Sequence, residues 1–436
     1  MDPMSALLLD TAPLRSSPEY RRLWIGLTLA GVGSQLGVTA VALQVYELTR
    51  SSFAVGLVGL VSFVPLVVLG LYGGALVDAH DRRRVIVLSS AALLVASVLI
   101  AGQAWLDVGS VVLLLGLVAL QSAAFAVNSP ARTAIIPMLV PVEQLPAANA
   151  LGTLSMNLGV TVGPLVGGLL VGTVGFGPAY TIDVVTLLVA LVTVLSLPPL
   201  PPLGGARKAG LASVLEGLRL LRGWRNVRMT FLLDICAMVL SQPRALFPAV
   251  GAVLIGGGAT TAGVLASSVA VGSVLASLVS GPLGRVHRHG VAIAVSVAAW
   301  GAAIVAFGLV LLLASPSAAH TGSVTSTAVP WASWHLWAAC TALAAAGAAD
   351  AVSSVFRQTV LQSAAPDWAR GRLQGVFIVV VAGGPRLGDL VAGADADALG
   401  EALAAVVGGV ACVLAVVVLM AWQRGFLRYD ARDPVP

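Results

Sequence analysis

Long apolar stretches separated by short polar ones run along the whole chain. A helix needs about 20 mostly apolar residues to cross a lipid hydrocarbon core. Twelve stretches meet that length. Six lie near 23–46, 53–79, 84–103, 108–128, 148–172 and 178–198, and six near 227–250, 259–282, 290–314, 336–358, 371–392 and 400–423. The most polar interruption is LPPLPPLGGARKAGLASVLEGLRLLRGWRNVR, which opens on a proline-rich break. Beyond it, Leu211, Leu215, Leu218 and Leu221 fall on one side of a helical pattern with Arg219, Arg222 and Arg225 nearby, so a cytosolic amphipathic helix is expected. The pattern predicts an all-α polytopic membrane protein: a tail over 1–22, a six-helix bundle over 23–198, a linker over 199–226, a second six-helix bundle over 227–423 and a tail over 424–436.

Composition agrees with that pattern. Of the 436 residues 58% are hydrophobic and 10% charged, whereas a soluble domain carries about 25% charged residues. A soluble fold of this length would lack the polar residues to cover its surface. The net charge of +5 does not point to nucleic acid, because the basic residues are unevenly placed. Of 24 Lys and Arg, 21 fall in the tails or in loops on one side, Arg50 falls on the other, and Arg244 and Arg386 fall within spans. The positive-inside rule then puts both termini in the cytoplasm, which requires an even number of spans. Cys236, Cys340 and Cys412 each sit in an apolar run and read as buried small hydrophobes. No metal-spaced cluster, phosphate loop or nucleophile elbow occurs, and the loops are too short for a catalytic domain. The chain reads as neither enzyme nor cofactor protein. The external loop 315–337 carries Trp331, Trp334 and Trp337, which read as an interfacial belt.

An internal repeat joins the halves. PARTAIIPMLVPVEQ and VFRQTVLQSAAPDWA both place an arginine nine residues before a proline, Arg132 to Pro141 and Arg357 to Pro366. Gly163-Pro164 in the fifth span answers Gly384-Pro385 in the eleventh, and DAHDRRRV after the second answers GRVHRHGV after the eighth. Parallel repeats of this kind place a substrate path between the halves, near the bilayer midplane.

GALVDAHDRRR, from Gly74, is similar to the loop motif G-x-L-x-D-R-x-G-R-R of the major facilitator superfamily. Gly74, Leu76, Asp78, Arg82 and Arg83 match it, while Ala79 and Asp81 replace its Arg and Gly. GVTVGPLVGG matches that superfamily's fifth-helix antiporter motif, G-x-x-x-G-P-x-x-G-G, at every fixed position: Gly159, Gly163, Pro164, Gly167 and Gly168. DICAMVLSQPRALFPA, GAADAVSSVFRQTVLQSAAPDWARGR and GGPRLGDL resemble the branch that holds the enterobactin exporter and actinobacterial multidrug efflux pumps. The resemblance covers nearly the whole chain. It implies export from the bacterial inner membrane driven by the proton gradient, with spans one, four, seven and ten lining the cavity. It does not identify the cargo.

Ionisable groups inside spans cost roughly 2.5–3.5 kcal/mol on insertion scales and need partners or purposes. Asp234 and Asp350 are candidate proton-coupling residues, each about 12 Å deep at 1.5 Å per residue. The other reading open to them is a fixed ion pair between helices. Asp389 is a third candidate. Arg357 follows Asp350 by two helical turns and shares its face; it either pairs with Asp350 through water, gates, or snorkels to the headgroups like its counterpart Arg132. Arg244 could pair an anionic substrate or lock an outer gate to a carboxylate such as Asp183. Asp78 with Arg82, Arg83 and Arg84 would tie the second span to its neighbours in one transport state, or form a solvated turn that carries only orientation charges. Gln35, Gln121, Asn128 and Gln242 could bond cargo or a neighbouring helix, beside apolar residues such as Phe125. The glycine stripe 159-163-167 would admit another helix to backbone contact, with a bend at Pro164. The expected partners are a hydrophobic or amphipathic small molecule and membrane lipid, with no nucleic acid, and a monomer as the working unit. A metabolite importer, or a lipid-handling protein without proton coupling, is the alternative.

Overall fold

A computed structural model describes residues 10–79, 81–198, 219, 221, 223–314, 324, 331–364 and 367–432. No strand occurs among them. After a short turn of helix, Ala12–Ser16, the first half contains α1 (Pro18–Thr49), α2 (Ser52–Ala79), α3 (Arg82–Trp105), α4 (Val111–Leu139), α5 (Leu145–Val174) and α6 (Phe176–Leu195). The second contains α7a (Arg225–Leu240), α7b (running through Arg244–Leu246, Phe247–Ala249 and Val250–Leu254), α8 (Gly258–Leu278), α9 (His289–Leu313), α10 (Trp334–Ala364), α11 (Asp367–Leu399) and α12 (Glu401–Trp422). Counting α7a and α7b together, 11 of these have the length and apolar composition to cross a membrane. With α11, 33 residues long, the chain is an all-α polytopic membrane protein of twelve spans. The C-terminal ends of α1 and α5 and the N-terminal half of α2 are called their far ends.

Local signals explain where helices begin. The Asp81 side chain accepts from the Arg83 N–H at 2.8 Å and caps α3; Ser110 does the same for α4 through Leu113 N–H at 3.3 Å. Gly175 before α6 and Gly400 before α12 both have φ near +85°, at 85° and 86°. That backbone turn strains any residue with a Cβ. The same turn at the same place in each half extends the repeat.

Several spans depart from expectation; the eleventh was expected over 371–392 and runs Asp367–Leu399. α4 and α10 were expected to end near 128 and 358 but continue to Leu139 and Ala364, so Arg132 and Arg357 lie inside helices rather than at their ends. The seventh span was expected to be continuous over 227–250 but breaks at Ser241–Pro243. Pro243 cannot donate a backbone hydrogen bond, and Trp300 of α9 holds the break by donating to Ser241 Oγ at 2.9 Å. α7b then closes as a π turn, with Ile255 N–H bonding Val250 O at 2.9 Å. The amphipathic helix expected over 199–226 lies mostly outside the described residues, as does most of the loop 315–330. Trp331, Trp334 and Trp337 are exposed. All three cysteines are free, Cys340 and Cys412 buried.

The helices cluster into two compact units. One comprises Met1–Ala40, Val64–Gly167 and Val174–Gly210; the other Val41–Phe63, Gly168–Thr173 and Leu211–Pro436. In the first, Leu23, Ile86, Ala131, Ile135, Val194 and Leu197 join α1, α3, α4 and the end of α6 in one apolar cluster. The second holds the six C-terminal spans together with the far ends of α1 and α5 and the far half of α2.

Candidate functional site

Asp234 of α7a and Asp350 of α10 converge on one arginine. The Arg357 Nη1 donates to Asp234 Oδ1 in a buried ion pair, and its Nη2 donates to Asp350 Oδ1 at 3.2 Å. The Arg357 and Asp234 side chains are 8% and 6% exposed, while that of Asp350 is 35% exposed. Arg357 therefore does not snorkel; its charge is met inside the bundle, which is why α10 runs past it. Two carboxylates share one cation, so the fully ionised cluster carries one excess negative charge in a poorly solvated place. Taking up one proton removes that charge.

The second cluster has the reverse balance. Asp389 of α11 is buried, lies within electrostatic reach of Arg244 and Arg386, and takes the Ala245 N–H at the start of α7b. Its Oδ1 is buried with no hydrogen-bond partner among the described residues. Arg386 donates to Ala382 O and, from Nε, to Ser62 Oγ at 3.4 Å. Arg244 is exposed. Asp183 accepts from Ser97 Oγ at 2.9 Å, and the break in the seventh span places Arg244 within electrostatic reach of Asp389. Gln242, at that break, packs against α11: a Cβ on Gly388 would lie 2.7 Å from Gln242 Cβ.

In the N-terminal half, Arg132 makes no ion pair among the described residues, and its Nε is buried without a hydrogen-bond partner. Phe125, seven residues earlier, is 41% exposed. Asn128 is fully buried and donates to Ser89 Oγ at 2.9 Å and Ser90 Oγ at 2.8 Å, fastening α4 to α3. Gln121 donates to Ser97 Oγ at 2.8 Å. Arg82 donates to Ala134 O at 3.2 Å and Arg83 to Leu195 O at 2.7 Å. These bonds fasten the start of α3 to carbonyls of α4 and α6. The surroundings of Gly74 and the side chain of Asp78 lie outside the described residues.

The glycine stripe of α5 meets α1 backbone to backbone. A Cβ on Gly159 would lie 3.1 Å from Gly31 O, one on Gly163 would lie 2.9 Å from Val32 O and 2.5 Å from Gln35 Cβ, and one on Gly167 would lie 3.0 Å from Leu36 O. Within the second unit, Gly168 packs against Ala259 O and Gly263 of α8, and Gly56 and Gly59 of α2 pack against the backbone of Arg386, Asp389 and Leu390. The far end of that seam carries a latch that the sequence reading missed. Asp397 accepts from Ser52 N–H at 3.0 Å, Phe53 N–H at 3.2 Å and Ser51 Oγ at 2.6 Å, capping α2 from α11. Glu401 adds a bond from Ser52 Oγ at 3.2 Å. The paired serines opening α2 were the available signal.

Twelve spans in repeated halves, with glycine seams and charged clusters inside the spans, define a transporter of the major facilitator type. The chain belongs to the transmembrane secretion effector family of that superfamily, which it matches over residues 9–434. It is 28% identical over 434 residues to the enterobactin exporter EntS of Citrobacter koseri, covering 98% of this chain and 97% of that protein. It is 29% identical over 391 residues to EntS of Shigella boydii, covering 88% and 87%. Among solved structures, a bacterial homolog of the human lysosomal transporter Spinster superposes with TM-score 0.65 at 17% identity, covering 97% of this chain and 98% of the other. The POT family transporter PepTSo gives 0.70 at 13%, covering 95% and 99%. These structures share the fold. Family and fold identify a transporter and not an enzyme.

Proposed function

We propose that this transporter exports a hydrophobic or amphipathic small molecule, siderophore-like or drug-like, in exchange for protons by alternating access. It works as a single chain in a bacterial inner membrane, with both termini cytoplasmic and no cofactor beyond the proton gradient. The observation that carries the reading is Arg357 held between Asp234 and Asp350. One cation facing two carboxylates on different helices can change which it holds when one of them takes up a proton, and such a choice biases a two-state element. Asp389 between Arg244 and Arg386 is the second candidate coupling group. Arg244, exposed at the break in the seventh span, offers a cation to an anionic oxygen of the cargo, and Phe125 offers apolar surface. The names of the EntS relatives favour export, and the one-sided arginines favour cytoplasmic termini. With that orientation the glycine seam and the Asp397 latch keep α2 on α11 at the external side, a contact that must loosen for release.

The test uses the full-length protein in proteoliposomes, with enterobactin as the probe and an imposed pH gradient. Wild-type protein is expected to move enterobactin against a counterflow of protons. Asp234→Asn combined with Asp350→Asn is expected to lower that flux by about tenfold or more. Undiminished proton-driven flux in the double variant overturns the coupling assignment. Movement of ethidium but not enterobactin assigns a drug-like cargo. Movement of neither, with lipid translocation instead, favours the lipid-handling alternative.

A further inference from the structure

Asp183 lies deep in the first unit and has no part in the clusters above. It is 2% exposed, on α6. Its Oδ2 accepts from Ser97 Oγ of α3 at 2.9 Å, and Ser97 Oγ in turn accepts from Gln121 Nε2 of α4 at 2.8 Å. Its Oδ1 is buried with no hydrogen-bond partner among the described residues. The wall facing the carboxylate is bare backbone of α1: a Cβ on Gly33 would lie 3.2 Å from Oδ1, and one on Gly37 would lie 3.4 Å from Oδ2.

The groups around it are few. α1 presents Gly33 and Gly37, α3 presents Ser97, and α4 reaches it through Gln121. The titratable neighbour is Tyr180, three residues earlier on α6 and also buried. Among the described residues no Lys, Arg or His forms an ion pair with Asp183. An ionised carboxylate in such a place is a buried charge with one neutral hydrogen bond. A protonated one leaves only a neutral hydroxyl on Oδ1, at far lower cost. The carboxylate is therefore built to be neutral in this arrangement of helices, and to ionise only when α1, α3 or α4 shifts and lets water in.

We propose that Asp183 is a proton-binding group of the N-terminal half, with Ser97 and Gln121 as the link through which α4 responds to its protonation. The step is a simple proton exchange: the carboxylate takes a proton from water on Oδ1 when the site is open, keeps the Ser97 bond on Oδ2, and returns the proton to water when the site reopens. α4 carries Phe125 and Arg132, so the bond chain joins the proton to the helix expected to face cargo. The proposal rests on the proton-exchange reading above and adds to it a site in the N-terminal half; the first test below does not depend on transport.

Full-length protein in lipid vesicles would be followed by infrared difference spectroscopy between alkaline and acid conditions. The expected result is a carboxylic-acid carbonyl band that grows as pH falls, is absent in Asp183→Asn and moves in frequency in Asp183→Glu. Ser97→Ala, which keeps the carboxylate but removes its hydrogen-bond donor, is expected to shift both the band and its titration midpoint, with Ser97→Thr restoring them. Difference spectra that are the same in Asp183→Asn and wild type overturn the proposal. Should the Asn variant not fold, a band unmoved by Asp183→Glu and Ser97→Ala does the same. In proteoliposomes, Gln121→Met is expected to leave the titrating band in place while lowering proton-driven enterobactin flux several-fold. If the band titrates but no variant exchanges protons for cargo, Asp183 remains a proton site and the antiport reading fails alone.

Discussion

Arg357 in α10 sits against Asp234 and Asp350, whereas Arg132 in α4 meets no carboxylate among the described residues, and Phe125 stands where the repeat has Asp350. The same contrast extends along the helices. Ser241-Gln242 marks the break in the seventh span, while the matching Ser34-Gln35 lies within an unbroken α1. α5 closes on α1 through bare glycine, and α11 closes on α7a through Gly384 and Gly388, the latter against Met238 O, while carrying Arg386 and Asp389 on the same stretch. Both halves use close backbone packing. The second also holds opposed charges across a broken helix. Repetition of sequence has preserved the arginine and the glycine-proline pair, while the first half has Phe125 in place of Asp350.

The contrast can be broken most severely at Arg357. Arg357→Met leaves two carboxylates inside the bundle with no cation, and removing one partner of a buried pair costs about 3–5 kcal/mol. Folded yield in detergent is expected to collapse, and adding Asp234→Asn to restore yield without restoring transport. A next test compares glycines. Gly163→Ala forces a Cβ to within 2.9 Å of Val32 O, and overpacking of this kind costs about 1–3 kcal/mol. Gly384→Ala meets the Met238 side chain at 3.0 Å instead, so its drop in melting temperature should be smaller. Arg132→Met breaks no ion pair described in the structure, and a loss of about 1 kcal/mol is expected, with most transport retained. A collapse like that of Arg357→Met would mean the two halves are not divided in this way. The smallest effect is expected for Asn128→Leu, where hydrogen bonds between membrane helices average about 0.6 kcal/mol; a large loss of cargo affinity would instead put Asn128 in the cavity.

The twelve spans were legible because lipid imposes a length and a polarity on each of them. Their ends were less so. An arginine reads as the end of a span only when its charge must reach water, and Arg357 finds its counter-charges inside. Seven-residue spacing revealed that Asp350 and Arg357 share a face. The bond from Arg357 to Asp234 spans 123 residues of sequence, and no local pattern encodes it. The glycine stripe announced close packing without naming α1 as its partner. The break at Ser241–Pro243 was signalled by Pro243, but prolines at 65, 130, 137, 164 and 385 sit within continuous helices, so proline alone could not locate it. Asp183, Ser97 and Gln121 come from three helices and meet only in the folded bundle.

The broken seventh span also bears on how the chain is made. α7a has 16 residues, which at 1.5 Å each reach about 24 Å, short of a hydrocarbon core of ~30 Å. Its continuation starts at an arginine and at a backbone amide that is met by Asp389, a residue synthesised well over a hundred positions later. As it leaves the ribosome, this segment is a poor membrane anchor on its own. Its final seating must await α11, so the seventh span should be among the last to settle during biogenesis, and a ribosome stalled before Asp389 emerges should leave the break open to water.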